Sequence, residues 1–441
     1  MMHPSLRALW TAIVLMLAGF TPNASAQTTL GFDPTGVFLD PQGALAARKM
    51  DDGKKLVDLL NGALSKQEEK QLRFISLPRL FAQVKALTDA GKPIPDDLRC
   101  LGGITKLQYL FVRPQEKDLI VAGLTEPFDV NAPGRPLGLH TGRPVLQLDD
   151  LVVALRSCGP KHEGKPLGCK IDMEEQAMAK MMKTLSNMSG LVKSAPDQRG
   201  AVAQAMAKAA GEQYVQFLNL QADSRFAYVT LEADYLLKRL VIGLDQPPVK
   251  GVVTYLSTQE TPDPVSNRFW FEVNYEPLLV SAGGDAFEIR GQSLRISTRK
   301  HFTDGPDEAT ASAKQYAQHV TKHLPRLAQA IPAFADLENL SDLGLVASLI
   351  ASDKLHEKAQ WDLSWVIDEK GYAFAKITVP KTAKTLVNYR ATSRMVLYIG
   401  GGVLLDHGQV IKKRDEDVKS QVAGRSRNLG DQISVVVPVK P

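Results

Sequence analysis

The chain has 441 residues, of which 44% are hydrophobic and 23% charged, and its 53 Lys and Arg against 48 Asp and Glu leave a formal net charge of +5. That composition excludes a disordered chain, and because the two signs are interspersed it also disfavours a nucleic-acid-binding face; even the densest charged run, Lys412 to Asp417, is balanced. Three cysteines are too few for a disulfide scaffold.

One basic residue, Arg7, precedes an apolar run at 8–20, and Ala24-Ser25-Ala26 follows as a small-residue cleavage triplet. Residues 1–26 therefore read as a secretory signal peptide, with a mature chain beginning near Gln27 and released to the periplasm or the exterior. Removing the single charge of Arg7 from +5 leaves +4. No later stretch reaches the roughly 18 consecutive apolar residues of a membrane helix, since 395–405 is short and interrupted by three glycines. About 415 residues remain, more than one core supports, so several packed units are expected. These are a strand-helix segment (27–72), an α/β domain (73–246), an antiparallel meander with two helices (247–355) and a β-rich C-terminal region (356–441).

In chain order, 36–45 reads as a strand, turn and return, and 54–64 as a short amphipathic helix. Ser76 caps a helix whose apolar residues Leu77, Leu80, Phe81, Val84 and Leu87 recur at helical spacing, ended by Gly91 and Pro93. Residues 106–112 and 119–124 form an apolar hairpin whose second strand is buried on both faces and central in its sheet. A Gly/Pro-rich loop spans 125–144. Residues 145–148 then read as a strand entering a helix at 151–156, with Asp149 and Asp150 as its caps.

Residues 169–171 suggest a strand, and Asp172 with Glu175 a capping box for a helix over 173–188. The methionines of that helix, Met178, Met181, Met182 and Met188, fit an irregular core better than a soft-metal site, since no Cys or His joins them. A second Ala-rich helix follows at 201–211. The helix at 225–240 is apolar on two opposite faces, with Arg225, Glu232 and Arg239 on one flank and Asp234 with Lys238 on the other, so it belongs between two layers with its flanks paired. Strict alternation at 269–275, a hairpin signal at 278–290 and alternation at 293–300 give the meander. Helices at 308–331 and 337–352 come next, the second mostly apolar with acidic residues in and just before its first turn. WDLSWVID, YAFAKITV, RMVLYIGGGVLLD and ISVVVPV read as C-terminal strands. The fold class expected is α+β.

Six blocks in order, GVFLDPQGAL, ISLPRL, LGGITKLQYLFVRPQEKDLIVAG, TGRPVLQLDDLVVALR, GCKID and LEADYLLKRLVIGLDQPPV, resemble an uncharacterised family of exported bacterial proteins, domain of unknown function 1598. The resemblance runs from about Gly36 to Asp353 and implies no activity. Cys158 and Cys169 flank a ten-residue loop that an oxidising compartment would allow to close as a disulfide, the alternative being two buried thiols. The family matches at Cys169 and not at Cys158, which weakens the bond.

No motif names a reaction. Residues 424–428 fail G-x-S-x-G at the last position, and Ser297 to Lys300 fits S-x-x-K within a strand rather than at a helix start. His319 and His323, four apart on one helix, are weak metal candidates without a third ligand. What survives is the loop from Arg135 to Arg143, which places Arg135, His140 and Arg143 among turn glycines as candidates for an anionic ligand, with His140 and Asp149 or Asp150 as a candidate acid–base pair. The competing reading makes the loop turn chemistry and the aspartates caps. The leading expectation is an exported, non-enzymatic protein that binds an envelope partner or a cell-wall component, without a cofactor; the alternative is a secreted hydrolase using the His/Asp pair.

Overall fold

The computed structural model describes residues 37–39, 45–47, 71–130, 135–159, 162, 164–258, 267–300, 308–390, 395–419, 421–427 and 433–434. The signal-peptide segment and the expected helix at 54–64 lie outside them. The fold is α+β. Among the described residues no helix is long and apolar enough to cross a membrane.

The hairpin Ile104–Arg113 and Asp118–Thr125 pairs from Arg113↔Asp118 back to Ile104↔Thr125, with register shifts between Tyr109 and Leu107 and between Lys106 and Ile104. Gln71–Ser76 adds antiparallel to its second strand and Ala286–Glu288 to its first, so both hairpin strands are interior to a seven-stranded sheet. Interior position on a sheet covered on both faces explains why Leu119 to Ala122 are buried without alternation. The expected meander is divided between sheets. Leu278–Val280 and Ala286–Glu288 join the hairpin sheet, whereas Asn267–Tyr275 and Gly291–Lys300 pair with each other at the end of an eight-stranded sheet. Thr321 takes up the backbone of Ile296 at that edge, its Oγ1 accepting from the Ile296 N–H at 2.9 Å, so a helix closes what would be an open ladder.

Five helices position the polar groups discussed below. α1 (Leu77–Asp89) begins at Ser76, whose Oγ accepts from the Arg79 N–H, as its spacing predicts. α2 spans Leu148–Ser157, α3 Arg225–Val241, α4 Ala311–Ala330 and α5 Pro332–Ser352. Phe226, Val229, Ala233, Leu237 and Leu240 of α3 are buried on one face, and Leu231 and Tyr235 on the other. α5 touches strands of both sheets as well as α2, α3 and α4. Pro332 occupies its first turn, where a missing N–H costs no hydrogen bond.

Several local expectations fail for identifiable reasons. Residues 145–147 form no strand, and α2 starts at Leu148. Asp172 does not cap the next helix, Glu175–Asn187, because Arg268 engages its carboxylate. Ser364–Ile367 is a helical turn and not a strand, since Asp362 accepts from the Ser364 N–H at 2.8 Å and starts the turn. Residues 373–380 join no strand; the Ala375 N–H goes to Asp149 and the Ile377 N–H to the Asp223 carbonyl. In 395–406 the glycines split one expected strand into Met395–Tyr398 and Val403–Leu405.

Candidate functional site

A helix as rich in Leu and Ala on every face as α5 has no polar side to give to water, so it must be interior. Its Asp336, Glu338, Asn339, Ser341 and Asp342 are accordingly buried, and each needs a partner, because an unpaired buried charge is expensive. They form two clusters about one turn and a half apart.

The first cluster gathers arginines. Arg135 donates through Nε to Asp336 at 2.7 Å and through Nη2 to Glu232 of α3 at 2.6 Å. Arg225, at the start of α3, donates one arm to Asp336 and the other to Asp150 in the first turn of α2. Arg143 reaches Glu338 at 2.7 Å, and the Asn339 side chain donates to the Pro144 carbonyl at 2.8 Å. The loop is thereby fastened to α5 at three points. Burial pushes the Asp150 carboxyl up to about 7 against the opposite pull of Arg225.

The second cluster is built on one lysine and several hydroxyls. Lys106, from the hairpin, donates to Ser293 Oγ and to Asp342, whose Oδ2 lies 2.9 Å from its Nζ. Ser293 Oγ also donates to Asp342 Oδ1 at 2.9 Å, as does Tyr275 OH at 2.7 Å. Ser341 continues the chain to His407 Nε2 at 3.4 Å. His407 fits because position 344 is glycine; a Cβ there would sit 2.4 Å from its Cε1. Burial lowers the His407 pKa to about 3, so the ring is neutral, and burial also raises Tyr275 well above the usual phenol, the Asp342 charge adding to it. A serine contacted by a lysine resembles a nucleophile with its base. Here the Ser293 proton goes to Asp342 and the lysine donates to the serine oxygen, so the groups satisfy one another.

The residues singled out from sequence disperse. Arg135 and Arg143 are counter-ions of α3 and α5 instead of an open anion site. The carboxylate beside His140 is Glu126, with 3.9 Å between Nδ1 and Oε2. Glu126 in turn accepts from the His140 and Thr141 N–H groups at 2.7 and 2.9 Å and organises the loop. Neither aspartate caps α2, whose cap residue Gln147 makes no side-chain cap bond. Asp149 accepts from Tyr372 OH at 2.6 Å and the Ala375 N–H at 3.0 Å, while Asp150 serves Arg225.

The Cys158–Cys169 disulfide is not formed: Cys100, Cys158 and Cys169 are free and buried. Ser348 Oγ donates to Cys158 Sγ at 3.4 Å. Burial raises the Cys158 thiol to about 11 and Cys100 to about 12, and lifts Cys169 as well, so none is an activated thiolate. The His319 and His323 rings lie 4.6 Å apart, tilted by 45°, and the His323 Nδ1 lies 2.9 Å from the His319 carbonyl. Among the described residues no group of three His, Cys, Asp or Glu is placed to hold a metal.

Flank pairing on α3 differs in part from its spacing. Asp234 and Lys238 do pair, at 3.2 Å, with Asp234 also accepting from the Gly402 N–H at 2.6 Å. Gly401 lies over that pair, where a Cβ would stand 2.2 Å from Asp234 Oδ1, which accounts for glycine at this position. Arg239 pairs with Asp245, and Glu232 and Arg225 with residues far along the chain. The groups that sequence reasoning missed are Asp336, Glu338, Ser341, Asp342 and Lys106. Their signal is the polar residue inside an all-round apolar helix, which has to be matched by something basic.

Residues 169–255 match a family described as "Protein of unknown function (DUF1598)". That segment contains all of α3, so the matched stretch holds Arg225 and Glu232 of the arginine cluster and both members of the Asp234–Lys238 pair. No curated protein and no solved structure matches the chain.

Proposed function

We propose that the protein is exported and serves a structural or binding role in the cell envelope or outside the cell, with an envelope protein or a cell-wall component as its partner, and that it is not a hydrolase. The N-terminal charge, apolar run and small-residue triplet support export. One observation carries the rest. The arginines that the 135–143 loop offers to a ligand are turned inward onto Glu232, Asp336 and Glu338, and the aspartates that would serve His140 are occupied by Arg225, Tyr372 and a backbone N–H. Charges so consumed hold the scaffold together and leave recognition to the outer surface.

The experiment is expression of the full chain followed by fractionation, N-terminal sequencing and cross-linking in the envelope fraction. A mature chain beginning near Gln27, cross-linked to one envelope protein or retained on purified cell wall, is the expected result. A chain that keeps residues 1–26 in the cytosol refutes export. Cross-linking and retention no better than an unrelated exported protein refute the binding role.

A further inference from the structure

Within the arginine cluster five groups are linked end to end: Asp150, Arg225, Asp336, Arg135 and Glu232. Three are carboxylates and two are guanidiniums, and each arginine is shared between two of the carboxylates. Asp336 stands between both arginines. Asp150 stands at one end, only 2% exposed, with Oδ2 on Arg225 and with Oδ1 buried and lacking any hydrogen-bond partner. An orphaned oxygen on a buried carboxylate that shares its arginine with Asp336 is where a proton is cheap to place, since it removes a charge that burial disfavours.

The charges facing Asp150 favour that proton. Asp149 is its neighbour on α2, and Asp336 of α5 lies across Arg225; both oppose ionisation, and Arg225 favours it. The short helix Asp96–Arg99, also packed on α2, brings Asp96, Asp97 and Arg99. Farther along, Glu338 of α5 belongs to Arg143, and Asp234 and Lys238 of α3 to each other. The helical turn Ser364–Ile367 packs on α2 without a charged residue.

We infer that Asp150 is a proton-binding position built into the core, and that loss of its proton loosens α2 and the loop at 135–147 from α3 and α5. The inference holds wherever the protein resides and goes beyond the role proposed above. Its direction follows from the two states. In the unfolded chain the carboxyl ionises at its ordinary 3.8, and in the folded chain it is held protonated up to about 7. Across that window the folded state binds the extra proton, so stability is greatest at its acid end and falls as pH rises through it.

The test is carbon-13 NMR of the full chain labelled at the aspartate carboxyls, titrated from roughly pH 5 to pH 8, with melting temperature and hydrogen exchange over 135–157 followed across the same range. One aspartate carboxyl titrating near neutral is expected, absent from Asp150→Asn and retained in Asp149→Asn. Wild-type protein should lose melting temperature and exchange protection of α2 as pH rises, and Asp150→Asn should show neither trend. If every aspartate titrates in the ordinary carboxylate range, or if the neutral signal persists in Asp150→Asn, the inference is wrong. Should Asp150→Asn fail to fold, the wild-type titration still decides, because an ordinary range for all aspartates refutes it without any variant.

Discussion

Two turns of α5 solve the same problem differently. At Asp336 and Glu338 the buried carboxylates are met by guanidiniums brought in by the 135–143 loop and α3; at Asp342 the carboxylate is met by one ammonium and two hydroxyl groups. Guanidiniums fix direction, since each presents a planar fork. The Arg135 and Arg225 forks therefore join a loop and three helices in a defined geometry. Hydroxyls are neutral and rotate to suit, so the Lys106 cluster balances one charge against one. In the arginine cluster, by contrast, Arg225 is shared between Asp150 and Asp336. What distinguishes a strut from a responsive group in this core is thus whether a carboxylate has a cation to itself.

The contrast can be broken at its strongest point first. Lys106→Met removes the cation paired with Asp342 and leaves that buried carboxylate to the hydroxyls; a loss of about 3 kcal/mol is expected in urea unfolding. Ser293→Ala, which takes away a hydroxyl and leaves the ion pair, should cost about 1 kcal/mol in the same measurement. If the two variants are equal, the hydroxyls share the charge more than this description allows. Gly344→Ala tests the neighbouring packing: with His407 Cε1 2.4 Å from the new Cβ, overpacking should cost about 1–3 kcal/mol. Ser76→Ala lies outside both clusters, removes the cap of α1 and one donor to Asp118, and should cost about 1 kcal/mol. Adding a thiol reductant should leave the melting temperature unchanged, because the three cysteines are already free; a drop would indicate a disulfide.

Features set by near neighbours were legible in the chain. Ser76 and the stripe from Leu77 to Val84, the hairpin with its buried second strand, the two apolar faces of α3 and the Asp234–Lys238 pair all follow from spacings of one to four residues. Features set by distant partners were not. Arg135 meets Asp336 from 201 residues away and Arg143 meets Glu338 from 195, and nothing local distinguishes such arginines from turn residues on a surface loop. The same holds for Asp149 and Asp150, whose place at a helix start suggests capping until Tyr372 and Arg225 arrive from elsewhere. The division of 267–300 between two sheets was hidden likewise, since a hairpin signal says nothing about which sheet it joins.

That the charged residues of the 135–143 loop are internal counter-ions is tested most directly by a double-mutant cycle on Arg135→Met and Glu232→Gln, followed by equilibrium unfolding. A buried pair at 2.6 Å predicts a coupling of about 2 kcal/mol. A coupling below about 0.5 kcal/mol, the size seen for exposed pairs, would mean that Arg135 stands free in solution, and the loop would again be a candidate for a ligand.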